Sequence, residues 1–276
     1  MEKFEITILG CGSATPGLKH FTSSQVLNIR EKLFMIDCGE GTQIQMRRTK
    51  IAFGKLNHIF ISHLHGDHCF GLLGIVSSFG LLGRTAPLFV HAPADMWKIL
   101  KPELDFYCQG MEYEVEFCGF NPKERTVIYD DKSLSVETIP LKHRIPTAGF
   151  LFKEKPLPDH LDRAAADYYR VPQWDYNRIK NGGDFVTADG KTIPHNQLTK
   201  PATPPRSYAY CCDTEYNPDM IEQITGVSTI YHDCTYSETD KERAKKHFHS
   251  TAAQAANTAK QAEAGTLILG HFSARY

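Results

Sequence analysis

Apolar positions along the first third of the chain fall in short β-branched and aromatic runs, residues 4–9, 25–29 and 33–36, parted by loops rich in Gly, Pro and Ser; this predicts strands. Residues 41–50 read as a helix, residues 58–62 as another strand, and 70–82 as an apolar stretch long enough for a buried helix. A second alternation follows, with a strand at 88–91, a helix over 94–106 and strands near 113–117, 126–129, 134–139 and 148–152. From 153 to 206 the pattern breaks into a polar segment bearing Pro and Gly, with a short helical stretch at 160–169 and a turn-like piece at 184–190. So long an irregular stretch is uncommon inside a compact domain and predicts a projecting arm. Strands at 207–211 and 228–231, helices over 237–247 and 250–264 and a last buried strand at 266–269 complete the chain. Strands with interleaved helices predict an α/β architecture, a sheet with helical covers, as one domain of residues 1–276 with an arm inserted at 153–206.

Composition narrows the function classes. A net charge of −1 over 276 residues supplies no global field for holding nucleic acid, so any polyanion must be met by a local patch or by a metal centre. The N-terminal apolar run is too short for a signal peptide, and no stretch reaches the ~18 to 20 apolar residues of a membrane span, so the expectation is a soluble, cytoplasmic protein with no membrane partner. Eight cysteines without C-x-x-C spacing point to reduced thiols, not to a zinc ribbon or a disulfide framework.

The chemistry concentrates in His63-Leu64-His65-Gly66-Asp67-His68. On a helix, positions two apart point about 200° from each other, so His63 and His65 converge on one ion only from a loop, with Gly66 expected at positive φ to fold the chain between the ligand pairs. Histidine with a neighbouring carboxylate suits Zn²⁺ and related ions. A dinuclear site needs further ligands, and His143, Asp213 and His271 each follow an apolar run by one or two residues, where an open sheet delivers its functional loops.

This pattern resembles the metallo-β-lactamase superfamily, which implies an αββα sandwich with two metals at one edge. Gly10-Cys-Gly-Ser-Ala-Thr-Pro16, Ile36-Asp-Cys-Gly-Glu-Gly-Thr-Gln43, Gly71-Leu-Leu-Gly74, Pro140-Leu-Lys-His143, His249-Ser-Thr251 and Leu269-Gly-His-Phe-Ser-Ala-Arg-Tyr276 are similar to the ribonuclease Z family of tRNA 3′-processing endonucleases. The resemblance spans nearly the whole chain. It implies that His63, His65 and His143 hold one zinc, Asp67, His68 and His271 the other, with Asp213 bridging, and with Mn²⁺ as the alternative ion. It further implies attack by a metal-bridging hydroxide, with Asp67 as general base, leaving a 3′-hydroxyl on the tRNA and a 5′-phosphate on the trailer. His249 is assigned to the scissile phosphate or departing oxygen, and Asp233, where the family usually has Glu in a His-Glu-Ala-Thr run, to orienting it. Precursor tRNA as partner, a homodimer and no nucleotide cofactor complete the expectation.

Two stretches depart from the family. The arm lacks a Gly-Pro pair, reading Val171-Pro-Gln-Trp-Asp-Tyr176, and the first loop reads Pro16-Gly-Leu-Lys-His-Phe21 in place of Pro-x-Lys-x-Arg-Asn. Residues 153–206 hold nine Lys/Arg against seven Asp/Glu, so tRNA grip there is assigned to a few side chains such as Arg178 and Lys180. Arg47 and Arg48 at the end of the 41–50 helix are a second basic candidate. Two other readings remain open: a small-molecule metallo-hydrolase acting on a lactone, thioester, sulfate or cyclic phosphodiester, and a catalytically silent scaffold.

Overall fold

The computed structural model describes residues 2–18 and 20–276, so Lys19 of the first loop lies outside the described residues. Strands β1 (Phe4–Gly10), β2 (Ser24–Ile29), β3 (Lys32–Cys38), β4 (Leu56–Phe60), β5 (Leu88–Pro93) and β6 (Val115–Phe120) form one sheet in chain order. The first three pair antiparallel and the rest parallel. Parallel neighbours need crossovers, and α1 (Thr42–Arg48), α2 (Gly66–Cys69), α3 (Leu72–Leu81) and α4 (Trp97–Tyr107) lie in them.

The second sheet begins with β7 (Val127–Asp130), β8 (Leu134–Leu141) and β9 (Thr147–Glu154). Glu154–Pro205 then forms a compact unit of its own. It holds β10 (His160–Leu161), α5 (Arg163–Tyr168), α6 (Tyr176–Lys180), β11 (Phe185–Val186), β12 (Thr192–Ile193) and β13 (Thr199–Lys200). The chain resumes with β14 (Ser207–Cys211), β15 (Thr229–Asp233), α7 (Lys241–Lys246), α8 (Ala252–Gln261) and β16 (Thr266–Gly270), giving a sheet ordered β16-β15-β14-β9-β8-β7.

Period-two alternation assigns each face. Val26, Met35, Ile59 and Val90 turn outward onto Met46, Ile75, Val76, Phe79 and Leu100 of the helices, while Leu27, Phe34, Ile36 and Phe60 turn inward. There they meet Phe150, Phe152, Tyr208 and Tyr210 of the second sheet. On its far face Leu151, Ala209 and Ile230 pack against Ile224, Ala259 and Ala262. The layers are therefore helix, sheet, sheet, helix, held by fully buried side chains worth roughly 1.5–3 kcal/mol each. The Glu154–Pro205 unit has a separate core of Ala166, Val171, Ile179, Phe185, Ile193 and Leu198, so this polar stretch is folded where irregular chain was expected.

Several local expectations change. Residues 160–169 open as a strand, not a helix, because His160 and Leu161 pair with Lys200 and Thr199; the helix starts at Arg163, where the Asp162 carboxylate accepts from the Ala165 N–H. The 184–190 segment is the start of a hairpin, β11 pairing with β12. The helix expected from residue 250 starts at Ala252, capped by Thr251 through a capping box with Gln254, while Ser250 donates its hydroxyl to the Thr214 carbonyl at 2.8 Å. Gly66 starts a helical turn and is not at positive φ; a Cβ there would meet the exposed Phe70 ring at 2.3 Å and displace it. All eight cysteines are free thiols.

Candidate metal centre and active site

The His63–His68 run sits just past β4, at the edge shared by both sheets' loops. His63 and Leu64 lie in the loop, His65 is extended at φ −74°, and Asp67 and His68 ride on the single turn of α2. The expected loop thus carries only the first ligand pair. A helical turn aims the second, since Asp67 and His68 need to diverge from His63 and His65. His143 follows β8, Asp213 follows β14 and His271 follows β16. Asp213 and His271 hold φ of 60° and 61°, a left-handed conformation costly for non-glycine residues and typical of functional positions.

These side chains converge into two groups sharing one carboxylate. His65 Nδ1 lies 3.0 Å from His63 Nε2 and 3.2 Å from His143 Nε2. Asp213 Oδ2 lies 3.4 Å from both His63 Nε2 and His143 Nε2. The other oxygen, Oδ1, lies 3.3 Å from His68 Nε2 and 3.0 Å from His271 Nε2, while Asp67 Oδ2 stands 3.7 Å and 3.5 Å from the same two nitrogens. Each set offers donors close enough together to hold one ion. The buried nitrogens His68 Nε2 and His271 Nε2 have no hydrogen-bond partner, an arrangement that costs free energy unless a cation satisfies them. The donor set therefore fits divalent metal.

The opposite ring nitrogens are anchored. His63 Nδ1 meets Ser62 Oγ at 2.9 Å, His68 Nδ1 meets Asp37 Oδ2 at 2.7 Å, His143 Nδ1 donates to the Phe248 carbonyl at 3.0 Å and His271 Nδ1 meets Thr235 Oγ1 at 2.8 Å. Such partners fix the tautomer that leaves Nε2 as ligand. Asp37 is fully buried and also accepts from the Ser62 N–H and hydroxyl and the Tyr210 hydroxyl. Sequence reasoning assigned it no role, although it follows the 33–36 apolar run as the other ligand candidates follow theirs. Thr235, the link between His271, His249 and Asp233, was also missed; a lone threonine carries no signal of its own.

His249 Nδ1 lies 2.7 Å from Asp233 Oδ2. Burial works against charge on this imidazole, but the Asp233 carboxylate outweighs it and lifts the pKa to about 9. Burial lowers His143 to about 4, which keeps it in the neutral form a metal ligand would need. For Asp67 burial acts upward, yet its contacts with His271 and His68 prevail and hold it below the usual carboxylate range; the Ala14 N–H also donates to it at 2.9 Å. These groups line an open cavity of about 500 Å³ that includes Asp67, His143, Asp213, His249 and His271. Among the described residues, Arg47 and Arg48 do not line it; they lie over the rings of Phe53 and Phe21. Arg178 and Lys180 belong to the Glu154–Pro205 unit, where Arg178 is paired with Asp175 at 2.8 Å.

A four-layer sandwich with a bridged histidine and aspartate centre at one edge defines a metal-dependent hydrolase of the metallo-β-lactamase fold. The "Ribonuclease Z" of Phocaeicola vulgatus is 58% identical over all 276 residues, which cover 89% of that protein. In solved structures, the short form of human tRNase Z (ELAC1) aligns with a TM-score of 0.73 at 23% identity, covering 98% of this chain and 93% of that one. The metallo-beta-lactamase fold protein YhfI of Bacillus subtilis aligns with a TM-score of 0.68 at 14% identity, covering 100% and 89%. The chain belongs to the ribonuclease Z family, and its residues 4–157 also match the family described as Anti-Pycsar protein Apyc1. That second match ends before Asp213, His249 and His271, which the full-length relatives do span.

Proposed function

We propose that this chain is a zinc-dependent endoribonuclease that removes the 3′ trailer of precursor tRNA after the discriminator base. One observation carries the reading: Asp213 turns one oxygen to His63 and His143 and the other to His68 and His271, a geometry made for joining two ions in one centre. His63, His65, His143 and Asp213 would hold the first Zn²⁺, and Asp67, His68, His271 and Asp213 the second. The nitrogen-rich donor sets favour zinc over the oxygen-preferring Mn²⁺. When bound, the ions supply positive charge toward the phosphodiester and bring a water nucleophile's pKa near neutrality.

The chain's own groups do the rest. Asp67, steadied by the Ala14 N–H, accepts the proton of the attacking water. His249 approaches the reaction as an imidazolium held by Asp233, poised to donate a proton to the departing 3′-oxygen of the discriminator nucleotide or to bind the phosphate, while in-line displacement breaks the P–O3′ bond and leaves a 3′-hydroxyl on the tRNA and a 5′-phosphate on the trailer. Phosphodiester access comes through the open cavity.

The Glu154–Pro205 unit is read as the tRNA-binding arm, supported by exposed Tyr168 and Trp174, flat surfaces suited to stacking, beside Arg178 and Lys180. Homodimer formation is supported by exposed apolar side chains on α3 and α4, including Leu81, Ile99 and Phe106. The cytoplasmic location belongs to the same reading; among the described residues no helix is long and apolar enough to cross a membrane. Incubation with a 3′-extended precursor tests the whole. Cleavage by wild type that vanishes in His68→Ala and Asp213→Ala supports it. Retained cleavage in those variants, or turnover of a lactone or bis-aryl phosphate with none of the precursor, overturns it.

A further inference from the structure

The residues expected to grip RNA lie on α1 and in the Glu154–Pro205 unit, yet Arg144 lines the metal cavity itself and two cations of α7 line a hollow joined to it through His247. Arg144, one residue past His143, lines both this cavity and an adjoining groove of about 480 Å³ that includes Lys123, Pro146 and Phe248. His247, at the C-terminal end of α7, also lines the cavity and shares a further surface hollow with Arg243 and Lys246. Arg144, Arg243 and Lys246 all act on His247: burial first and then these three charges lower its pKa.

Among the described residues, none of the three cations has a salt bridge, although Asp240 and Glu242 line the hollow of Arg243 and Lys246 and Glu215 lines the groove of Arg144. Cations that crowd one another with no ion pair of their own favour binding of a polyanion. In a chain whose net charge is −1, this concentration beside the reacting centre is local. Phe248 adds an apolar wall. Its φ is 61°, a conformation that costs a phenylalanine of order 1–3 kcal/mol, and the residue is 37% exposed while its carbonyl holds His143.

We propose that Arg144, Arg243 and Lys246, with the Phe248 ring, form a nucleotide subsite that holds the phosphate and base next to the scissile bond. This rests on the ribonuclease reading. The groove's continuity with the metal cavity through His143 and Arg144 sets the occupant as the RNA strand itself. Cations supply sequence-independent grip, and a ring face accepts any base.

Steady-state cleavage of a 3′-extended pre-tRNA across a salt series tests it. Arg144→Ala and the double variant Arg243→Ala/Lys246→Ala are expected to raise KM about tenfold at low salt, with kcat changed less than KM, and to flatten log KM against log salt by about 0.7 per lost single-strand phosphate contact. Arg144→Lys should restore most of the salt slope. Phe248→Ala should raise KM roughly tenfold and Phe248→Trp recover it, both keeping the same backbone strain. Wild-type cleavage with an unaltered salt slope in the cation variants, or equal losses in Phe248→Ala and Phe248→Trp, overturns the subsite and leaves the ribonuclease reading standing. A wild type that does not cut the precursor removes both.

Discussion

Replacing Asp37 by Asn probes how the fold holds its ligands. Asp37 Oδ1 accepts from the Ser62 N–H at 2.8 Å, and Oδ2 receives the Ser62 hydroxyl at 2.9 Å, the Tyr210 hydroxyl at 2.7 Å and His68 Nδ1 at 2.7 Å. An asparagine offers one acceptor oxygen and one donor NH₂. If the oxygen takes the crowded position, the NH₂ faces the Ser62 N–H; if reversed, it faces three donors at once. Either leaves a buried donor unmet, at about 1–3 kcal/mol, and slackens the anchor that keeps His68 Nε2 free for metal. Lost anchors of this kind weaken metal affinity by about 10–100-fold. Competition with a chromophoric chelator at pH 7.5 reads the affinity, and urea unfolding of the metal-free protein reads the stability. Asp37→Asn should show both losses, whereas Tyr210→Phe, which removes one donor and keeps the carboxylate, should cost about 1 kcal/mol and leave affinity within a few fold. An Asp37→Asn protein with wild-type affinity and stability would refute the reasoning.

Four further variants have expected outcomes. His249→Ala should lower kcat about 10²–10⁴-fold with metal content unchanged; in Asp233→Asn, loss of the carboxylate that raises His249 to about 9 should move the alkaline limb of the kcat–pH profile downward, and a limb that stays in place would exclude the pairing. His91 and His58, joined at 3.2 Å between the sheets, are lowered by burial to about 3 and about 4, so both are neutral in the folded state and the unfolded chain binds more protons below about 6.5. Their stabilisation is full above pH 6.5 and lost on acidification toward those values, about 2 kcal/mol per histidine at pH 5, and His91→Phe should flatten urea-melt stability between pH 7 and 5 relative to wild type. Gly39→Ala should destabilise by about 1–3 kcal/mol, since its Cβ would fall 2.2 Å from Thr22 Oγ1 and 2.4 Å from the Asp67 carbonyl; a thermal melt matching wild type would contradict that crowding.

What could be read from the chain depended on whether a residue's task is local. His63, His65, Asp67 and His68 were visible because a short run has nowhere else to put three imidazoles, and His143, Asp213 and His271 because each follows an apolar strand. Asp37 obeys the same placement rule, but a lone aspartate after a strand is commonplace. Its meaning comes from Tyr210 and Ser62, brought to it from β14 and the loop after β4. Gly66 is read for its freedom, yet it takes an ordinary helical φ and its missing side chain leaves room for the Phe70 ring. The core of the Glu154–Pro205 unit was illegible because Ala166, Val171, Ile179, Phe185, Ile193 and Leu198 are too widely spaced to show a period, and its strands are two residues long. The cations near the metal cavity were hidden for a like reason: Arg144 and α7 lie far apart in sequence.

Mapping both ends of the product tests the central claim most directly. A 3′-extended precursor cut by the wild-type protein should yield tRNA ending in a 3′-hydroxyl at the discriminator base and a trailer bearing a 5′-phosphate, with cleavage abolished by chelator and recovered on adding Zn²⁺. Products ending in a 2′,3′-cyclic phosphate, or cleavage indifferent to chelator, would contradict a metal-centred attack on the phosphodiester.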